Sequence, residues 1–269
     1  MHAAHPQLAT SHSQFSNAST AHDPTSFDAA DQPVERLPFS VRLVSNMEDL
    51  MKAVHIRQAA YARHLPEFAK TLGLPESADY EDGVAILLAE SHLDGSPLGT
   101  MRVQTNRFKP LTLEQSLELP DWLRHQTLAE ATRLGVTNDK VGRLVTTVLF
   151  KAFFQYCLGT GVDWMVITAR APVDRQYERL LFEDVYPERG YIPMCHVNNL
   201  PHRVMCFDVH AAEELWQRTR HPLFNFVFRT SHPDIQVQPM PQDSGFGDLR
   251  SVPAMPFPHL RASASALTS

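Results

Sequence analysis

The sequence predicts an α/β fold, in which one mixed sheet is flanked by helices, and two observations lead to it. Short apolar strands and amphipathic helices follow one another between about residues 39 and 230, in the order β-α-(α)-β-β-β-α-β-α-β-β. Two neighbouring strands, 98–103 and 128–137, also carry Arg102, Glu130 and Arg133. Because a buried charge is costly unless it is paired, these charges indicate a site within the sheet.

Composition narrows the class of protein. The chain has 269 residues, 43% of them hydrophobic, with a formal net charge of −6, so it can bury a substantial core and shows no basic face for nucleic acid. Cys157, Cys195 and Cys206 form neither a CxxC pair nor an even framework, which predicts reduced thiols in a cytoplasmic protein. We expect no secretory signal, because the first residues lack a basic segment followed by an apolar run, and no apolar run approaches the roughly 18–20 residues of a transmembrane segment.

Composition also sets the expected domain boundaries. Residues 1–38 are rich in Ser, Ala, His, Asp and Gln without a hydrophobic period, and we expect them to be disordered. Residues 231–269 form a Pro-rich tail, which we expect to be disordered or to drape over the domain through Met255 and Phe257. The folded domain is therefore expected at 39–230.

The first helix places an arginine on an apolar stripe. Ser45 and Glu48 have capping-box spacing before a helix that runs to about residue 63. Leu50, Val54, Arg57 and Tyr61 then fall on one face. Arg57 either meets a buried carboxylate or extends its stem to water. Asp79 and Asp82, in the acidic cluster before a strand at 83–91, are the nearest carboxylates in sequence.

Two strands bring further polar groups to the sheet. Asp94-Gly95 predicts a hairpin turn into strand 97–105, on which Thr100, Arg102 and Gln104 share one face. On strand 128–137, simple alternation separates Glu130 from Arg133. The two share a face only if a β-bulge lies between them.

A polar turn opens the long apolar helix 141–158, whose start offers Lys140, Gly142 and Arg143 to a phosphate group. A strand at 163–169, a helix at 173–182, strands at 190–196 and 203–209 and a helix at 211–220 complete the order. The long helix also carries four aromatic residues, which either line an apolar tunnel or form ordinary core: Phe150, Phe153, Phe154 and Tyr156.

Four short motifs recur in order: Arg57-x-x-x-Tyr61, Asp79-x-x-Asp82, Gly99-Thr100-Met101-Arg102 and Glu130-x-x-Arg133. In order and spacing they resemble the signature of the acyl-homoserine-lactone synthases, and resemble even more the N-acyl amino acid synthases of the same superfamily. The stretch 199–205 is similar to the equivalent stretch in N-acyl amino acid synthases, and the resemblance covers about residues 40–210. It implies the GNAT-type acyltransferase fold, a mixed sheet splayed between its fourth and fifth strands so that an acyl-pantetheine can lie in the gap.

The resemblance implies an N-acyltransferase that moves a long fatty acyl chain from acyl carrier protein to the amine of an amino acid. Glu130 would be the general base, and Tyr177 matches the tyrosine that GNAT relatives place beside the sulfur. The expected binding residues are Arg57, Tyr61, Asp79, Asp82, Arg102 and Arg133 for the substrate, and Lys140, Gly142 and Arg143 for the phosphopantetheine. Apart from this thioester co-substrate, no cofactor is expected.

Two departures from the related patterns guide the choice of substrates. Residues 62–78 contain no tryptophan, where the lactone synthases usually carry one, which argues against an S-adenosylmethionine pocket. The Gly-rich pyrophosphate loop of coenzyme A-using relatives is reduced to one glycine, Gly142, which suits a single phosphate as on acyl carrier protein.

Several alternatives remain open at this stage. Glu130 is equally explained as a structural counter-ion of Arg102 or Arg57, and Tyr177 as an ordinary surface residue. Acyl-homoserine-lactone synthesis and a GNAT-like binding domain without turnover are the alternative functions. No metal site is expected, because Cys195, His196, His202 and Cys206 lack ligand-pair spacing and the first two point to opposite faces of a strand.

Overall fold

A computed structural model describes residues 32–238, and those from Pro33 onward belong to one compact unit. The strands are β1 (Phe39–Leu43), β2 (Val84–Ser91), β3 (Pro97–Thr105), β4 (Leu128–Val136), β5 (Trp164–Ala169), β6 (Glu183–Asp184), β7 (Ile192–Met194), β8 (Leu200–Asp208) and β9 (Ile235–Gln236). The α-helices are α1 (Met47–Ala62), α2 (Pro66–Lys70), α3 (Asp121–Arg124), α4 (Lys140–Thr160), α5 (Asp174–Arg179) and α6 (Ala212–Arg218). The described residues also contain three 3-10 turns and one π-helix. The 3-10 turns are Ser77–Tyr80, Thr112–Gln115 and Cys195–Val197, and the π-helix is Asn225–Arg229.

The strands form one mixed sheet in the order β6-β8-β5-β4-β3-β2-β1-β9, with β7 paired to β8. Most neighbours are antiparallel, whereas β4–β5 and β1–β9 are parallel. This confirms the predicted mixed α/β sheet. The sequence analysis missed β6 and β9, since each has only two residues.

The sheet opens between β4 and β5. Their pairing runs from Leu128 opposite Trp164 to Ala131 opposite Ile167, although β4 continues to Val136 and β5 to Ala169. Within the described residues, the ends of the two strands therefore diverge, and a gap forms at the carboxyl edge of this parallel pair.

Helices cover both faces of the sheet. On one face α4 buries Val148, Leu149 and Phe153 against β1–β5, forming the largest core cluster. By length and composition α4 also passes for a membrane span, but more than half of that stretch is buried within the protein, as in a core helix. On the other face α1 packs on β2, β3 and β4.

The start of α1 differs from the predicted capping box. Asn46 is the N-cap, and its side chain accepts a hydrogen bond from the backbone N–H of Asp49 at 2.9 Å. The cap thus lies one residue later than the Ser45–Glu48 pattern indicated. The Asp49 carboxylate also receives Arg42, which holds the first turn of the helix to β1.

The flanks of the predicted domain are folded within the described residues. Val34 bridges to Ser231, Leu37 N–H donates to Asp234 Oδ2 at 2.9 Å, and β9 adds to the edge of β1. The ordered chain therefore extends beyond 39–230 on both sides, because these segments pair with each other and with the sheet. The remaining parts of the expected disordered segment 1–38 and of the tail 231–269, including Met255 and Phe257, lie outside the described residues.

Candidate active site

Arg57 lies on the inner face of α1 and is fully buried. Its Nη1 and Nη2 donate to Oδ2 and Oδ1 of Asp79, each at 3.0 Å. The snorkelling alternative for Arg57 is therefore wrong. Gly135 of β4 allows this close approach of α1, because a Cβ there would lie 3.1 Å from the Arg57 Cα and 3.0 Å from the Ala60 Cβ.

Glu76, which the sequence analysis did not select, joins three arginines. Its carboxylate receives Arg133 through Nε at 2.8 Å and Nη2 at 2.7 Å, and Nη1 of both Arg57 and Arg102 at 3.1 Å. Arg102 also reaches Asp79 at 3.2 Å. We call this set of five side chains the ion cluster.

The pair of carboxylates in the ion cluster is thus Glu76-x-x-Asp79, three residues upstream of the pair that the motif suggested. Asp79 also accepts from the backbone N–H of Glu76 at 2.8 Å, which closes the 3-10 turn that holds both groups. Asp82 is exposed. The spacing of three residues was the available clue, but it fits Glu76–Asp79 and Asp79–Asp82 equally well.

The ion cluster holds three guanidinium groups and two carboxylates, so it carries a formal surplus of one positive charge. Burial works to raise the pKa of Glu76, but the hydrogen bond and charge of Arg133, with the other two arginines, lower it to about 2. Burial, together with the charge of Arg133, lowers the pKa of Arg102. The surplus indicates a place that suits an anionic ligand.

A β-bulge, the condition for Glu130 and Arg133 to share a face, is present and brings Arg133 into the site. Arg102 pairs with Thr132 and Thr100 with Gly135, so β4 has one more residue than β3 in this interval. Arg133 takes a left-handed backbone conformation with φ of 55°. Its guanidinium therefore reaches the ion cluster on the sheet face that also carries Glu130.

Glu130 is fully buried on β4. Its Oε2 accepts the backbone N–H of Leu113 at 3.1 Å, and its Oε1 has no hydrogen-bond partner within the described residues. Burial raises the pKa of Glu130 to about 7, against the opposing effects of the Leu113 hydrogen bond and the Arg102 charge. Arg102 and Arg57 form their hydrogen-bonded ion pairs with Glu76 and Asp79, so Glu130 interacts with Arg102 only through its charge and not through a hydrogen bond.

Aromatic side chains border the ion cluster. The Arg133 guanidinium lies 5.2 Å from the ring centroid of Phe68, which is 5.7 Å from that of Tyr61. Tyr177 is half-buried and packs edge-on to Phe182 at 5.3 Å. Burial, with a contribution from Tyr61, raises the pKa of Tyr177, so its phenol is protonated at neutral pH.

The start of α4 is built differently from a phosphate cradle. Asp139 is the N-cap, and its Oδ1 accepts the N–H of Gly142 at 2.7 Å. A Cβ on Gly142 would lie 2.0 Å from the Thr137 carbonyl oxygen, so the glycine is required for the tight β4–α4 turn. Lys140 and Arg143 are exposed beside this turn.

The aromatic residues of α4 are packed as core. Phe150 stacks on Trp216 with centroids 5.7 Å apart, and Phe154 meets Phe228 at 5.3 Å. Both rings also contact Phe207. This packing favours the core interpretation of the α4 aromatics over a tunnel lining.

His196 is a second residue near the site that the sequence analysis passed over, having considered it only as a metal ligand. It lies in the 3-10 turn after β7, and its buried Nδ1 has no partner within the described residues. Burial, with the charges of Arg133 and Arg102 contributing, lowers its pKa to about 4. Among residues 32–238, no three His, Cys, Asp or Glu side chains are placed to hold a metal ion.

No protein-family model matches the chain, and no curated protein matches it in sequence. Among solved structures, FeeM, an N-acyl amino acid synthase from uncultured soil microbes, is similar at a TM-score of 0.51 and 16% identity, over 67% of this chain and 96% of that one. BjaI, a CoA-dependent acyl-homoserine lactone synthase, gives a TM-score of 0.47 at 16% identity, covering 76% and 95%. A GNAT-family acetyltransferase from Desulfovibrio desulfuricans gives 0.46 at 13% identity, covering 64% and 99%. With its mixed sheet open between β4 and β5, the chain therefore has the GNAT-type acyltransferase fold.

Proposed function

We propose that this protein is an N-acyltransferase, which moves a long-chain fatty acyl group from the phosphopantetheine thioester of acyl carrier protein to the amine of an amino acid. The observation that carries the proposal is Glu130, a fully buried carboxylate with an unpaired oxygen, on the strand that borders the gap between β4 and β5. FeeM, described as an N-acyl amino acid synthase, shares the fold.

Glu130 suits the role of general base. An amine attacks a thioester only as the free base, so the acceptor ammonium must first lose a proton. With a pKa of about 7, Glu130 is largely ionised slightly above neutral pH, and it is basic enough to take that proton directly or through water.

The remaining steps fall to the backbone and to Tyr177. The amine nitrogen attacks the thioester carbon, and the oxyanion of the tetrahedral intermediate takes hydrogen bonds from backbone N–H groups near residues 134–136, at the edge of the gap. The carbon–sulfur bond then breaks, and the nitrogen of the intermediate loses its second proton. Tyr177, whose phenol is protonated at neutral pH, gives its proton to the departing thiolate and regains one from that nitrogen. Glu130 releases to water the proton that it took. The amide product and the free thiol remain.

The donor side of the proposal depends on Lys140 and Arg143. Because Asp139 already accepts the Gly142 N–H, the phosphate of the donor would be held by these two exposed cations and not by the backbone. Two side-chain cations suit one phosphate, as on acyl carrier protein. A cytoplasmic location is consistent with Cys157, Cys195 and Cys206, which are all free thiols.

The test supplies purified protein with acyl carrier protein or coenzyme A thioesters and with a panel of amino acids, and identifies products by mass spectrometry. We expect N-acyl amino acids, formed much more slowly by Glu130→Gln, and a higher kcat/KM with acyl carrier protein. Lys140→Glu and Arg143→Glu should raise KM for that donor with little change in kcat.

Equal turnover with coenzyme A would contradict the carrier-protein donor. A lactone product would indicate the homoserine-lactone alternative, and donor binding without turnover would indicate a binding domain.

A further inference from the structure

His196 and Glu130 are held by the same short segment of chain. The backbone N–H of Leu113 donates to Glu130 at 3.1 Å, and the hydroxyl of Ser116 accepts the backbone N–H of Cys195 at 2.8 Å. The 3-10 turn 112–115 and the residue after it therefore tie the turn that carries His196 to the strand that carries Glu130. The charges of Arg133 and Arg102 act on His196, and the charge of Arg102 acts on Glu130, so both side chains lie near the ion cluster.

Four polar side-chain atoms in this region make no hydrogen bond within residues 32–238. Three of them are buried: Oε1 of Glu130, Nδ1 of His196 and Nε of Arg57. The fourth is Nη2 of Arg102, whose hydrogen bonds use Nε toward Thr132 and Nη1 toward the carboxylates of the ion cluster. Buried polar groups are normally paired, so four unpaired atoms in one region suggest that a polar ligand pairs with some of them.

The charges indicate what kind of ligand this is. The ion cluster carries a surplus of one positive charge, which attracts an anionic group. His196, with its lowered pKa, is neutral at physiological pH. A neutral imidazole protonated at Nδ1 donates one hydrogen bond there, which a carboxylate accepts.

The strand register places Arg102 and Glu130 so that they can bind the two ends of such a ligand. Arg102 pairs with Thr132 and Gln104 with Glu130, so Arg102 and Glu130 are diagonal neighbours on one face of the sheet. A small molecule with a carboxylate at one end and an amine at the other can meet Arg102 with the first and Glu130 with the second. An α-amino acid has this form.

We propose that His196 and Arg102 bind the carboxylate of the acceptor amino acid, with His196 donating from Nδ1 and Arg102 from Nη2, so that the acceptor amine faces Glu130. This assignment rests on the proposed function, because it concerns the acceptor of that reaction. His196 acts here as a positioning residue and takes no part in proton transfer.

Steady-state kinetics with an amino acid and with its primary amide test this assignment. His196→Leu should raise KM for the amino acid about 10- to 100-fold, the effect of losing a hydrogen bond to a charged group, with little change in kcat or in KM for the donor. His196→Asn places an amide N–H close to the position of Nδ1 and should recover most of the loss. The wild-type preference for the acid over the amide should shrink in His196→Leu. An unchanged KM, or equal losses for acid and amide, would overturn the assignment.

A binding measurement separates this inference from the proposed function. Titration of the wild-type protein with the amino acid alone, without donor, should shift the His196 ring resonance in a saturable way, with His196→Asn providing the assignment. Such a shift without any acyl transfer would refute the proposed activity and leave the carboxylate site standing. Acyl transfer together with a His196 resonance that the amino acid does not shift would refute the carboxylate site alone.

Discussion

Arg133 and Glu76 form a two-point ion pair, with Arg133 Nε 2.8 Å from Oε2 and Nη2 2.7 Å from Oε1 of the carboxylate. Arg133 reaches this position only because its backbone is left-handed, with φ of 55°. That conformation costs an ordinary residue about 1–3 kcal/mol. The ion pair therefore helps to hold the β-bulge that shapes the edge of the open sheet.

Glu76→Gln is expected to destabilise the protein by about 3–5 kcal/mol, because it removes the carboxylate shared by three buried arginines. Urea unfolding at pH 7 measures the loss. Glu67→Gln is the matched control, since among residues 32–238 Glu67 pairs with the exposed Lys70, and it should change the free energy of unfolding by less than about 1 kcal/mol. Equal effects of the two substitutions would show that the ion cluster contributes little to stability.

The same carboxylate predicts a specific acid sensitivity. The pKa of Glu76 is about 2 in the folded protein against 4.5 for the model group, so its contribution is fully present above about pH 4.5 and is lost as pH falls toward 2. The difference in unfolding free energy between wild type and Glu76→Gln should therefore shrink over this interval. A difference that stays constant down to pH 2 would contradict the shifted pKa.

Glu130→Gln is expected to lower kcat by about 10²–10⁴-fold, because the amide keeps the shape of the carboxylate but cannot accept the ammonium proton. Activity should partly return at high pH, where more of the acceptor is already the free amine. In the wild type, activity should fall as pH drops below about 7, where Glu130 becomes protonated. Full activity of a stable Glu130→Gln protein would remove Glu130 from the mechanism.

Glu130→Gln should also affect stability in a direction opposite to Glu76→Gln. The pKa of Glu130 is about 7 when folded against 4.5 for the model group, so the folded state binds the extra proton and wild-type stability falls as pH rises from 4.5 to 7. The glutamine variant lacks this loss. We expect it to be the more stable protein at pH 8, by up to about 3 kcal/mol, and the gain to shrink toward pH 5.

Two glycines of α4 allow a test of the turn before the helix, with Gly142→Ala as the test and Gly159→Ala as its control. Gly142→Ala would set a Cβ 2.0 Å from the Thr137 carbonyl oxygen, so the β4–α4 turn must shift and Tm should fall. Gly159→Ala would bring its Cβ no nearer than 3.8 Å to Gln238, and the better helix propensity of alanine should leave Tm equal or higher. A Gly142→Ala protein that keeps its Tm and loses only donor binding would instead indicate a phosphate-binding role for the glycine.

Lys151→Met should destabilise the carboxyl-terminal part of the domain. Nζ of this fully buried lysine donates to the carbonyl oxygens of Phe226 at 2.7 Å and Thr230 at 2.6 Å, and lies 2.8 Å from Nδ1 of His232. Methionine fills the volume but leaves these acceptors unpaired, at a cost of about 1–3 kcal/mol for each one. Hydrogen exchange should show faster opening of residues 225–237, whereas Lys70→Met, at an exposed site, should leave their exchange unchanged.

Much of the fold was accessible from hydrophobic periodicity. The expected polar face of β3 is present, since Thr100 donates to the Leu87 carbonyl, Arg102 enters the ion cluster and Gln104 donates to the Pro110 carbonyl. The place of the bulge followed from the sequence only as a condition, because without it Glu130 and Arg133 would lie on opposite faces. In both cases a charged or polar side chain on a core strand must find a hydrogen-bond or ion-pair partner, and few positions offer one.

The parts that the sequence did not reveal depend on contacts between distant segments. Glu76 looks like any loop glutamate until the fold brings Arg57, Arg102 and Arg133 around it, from 19, 26 and 57 residues away. The sequence suggested that the backbone of Gly142 binds a phosphate. In the structure the Gly142 N–H instead donates to Asp139, the N-cap of the helix. A two-residue strand such as β9 has too few positions to show alternation.

The order in which the strands are made has a consequence for synthesis on the ribosome. β1 leaves the ribosome first and acquires β2 on one side, but its other neighbour, β9, is almost the last described segment to emerge. Until then the outer backbone edge of β1 offers unpaired N–H and C=O groups to any other chain. The nascent protein is therefore open to strand-to-strand aggregation at this edge throughout the synthesis of residues 44–234, and a stall between residues 210 and 230 would prolong that exposure.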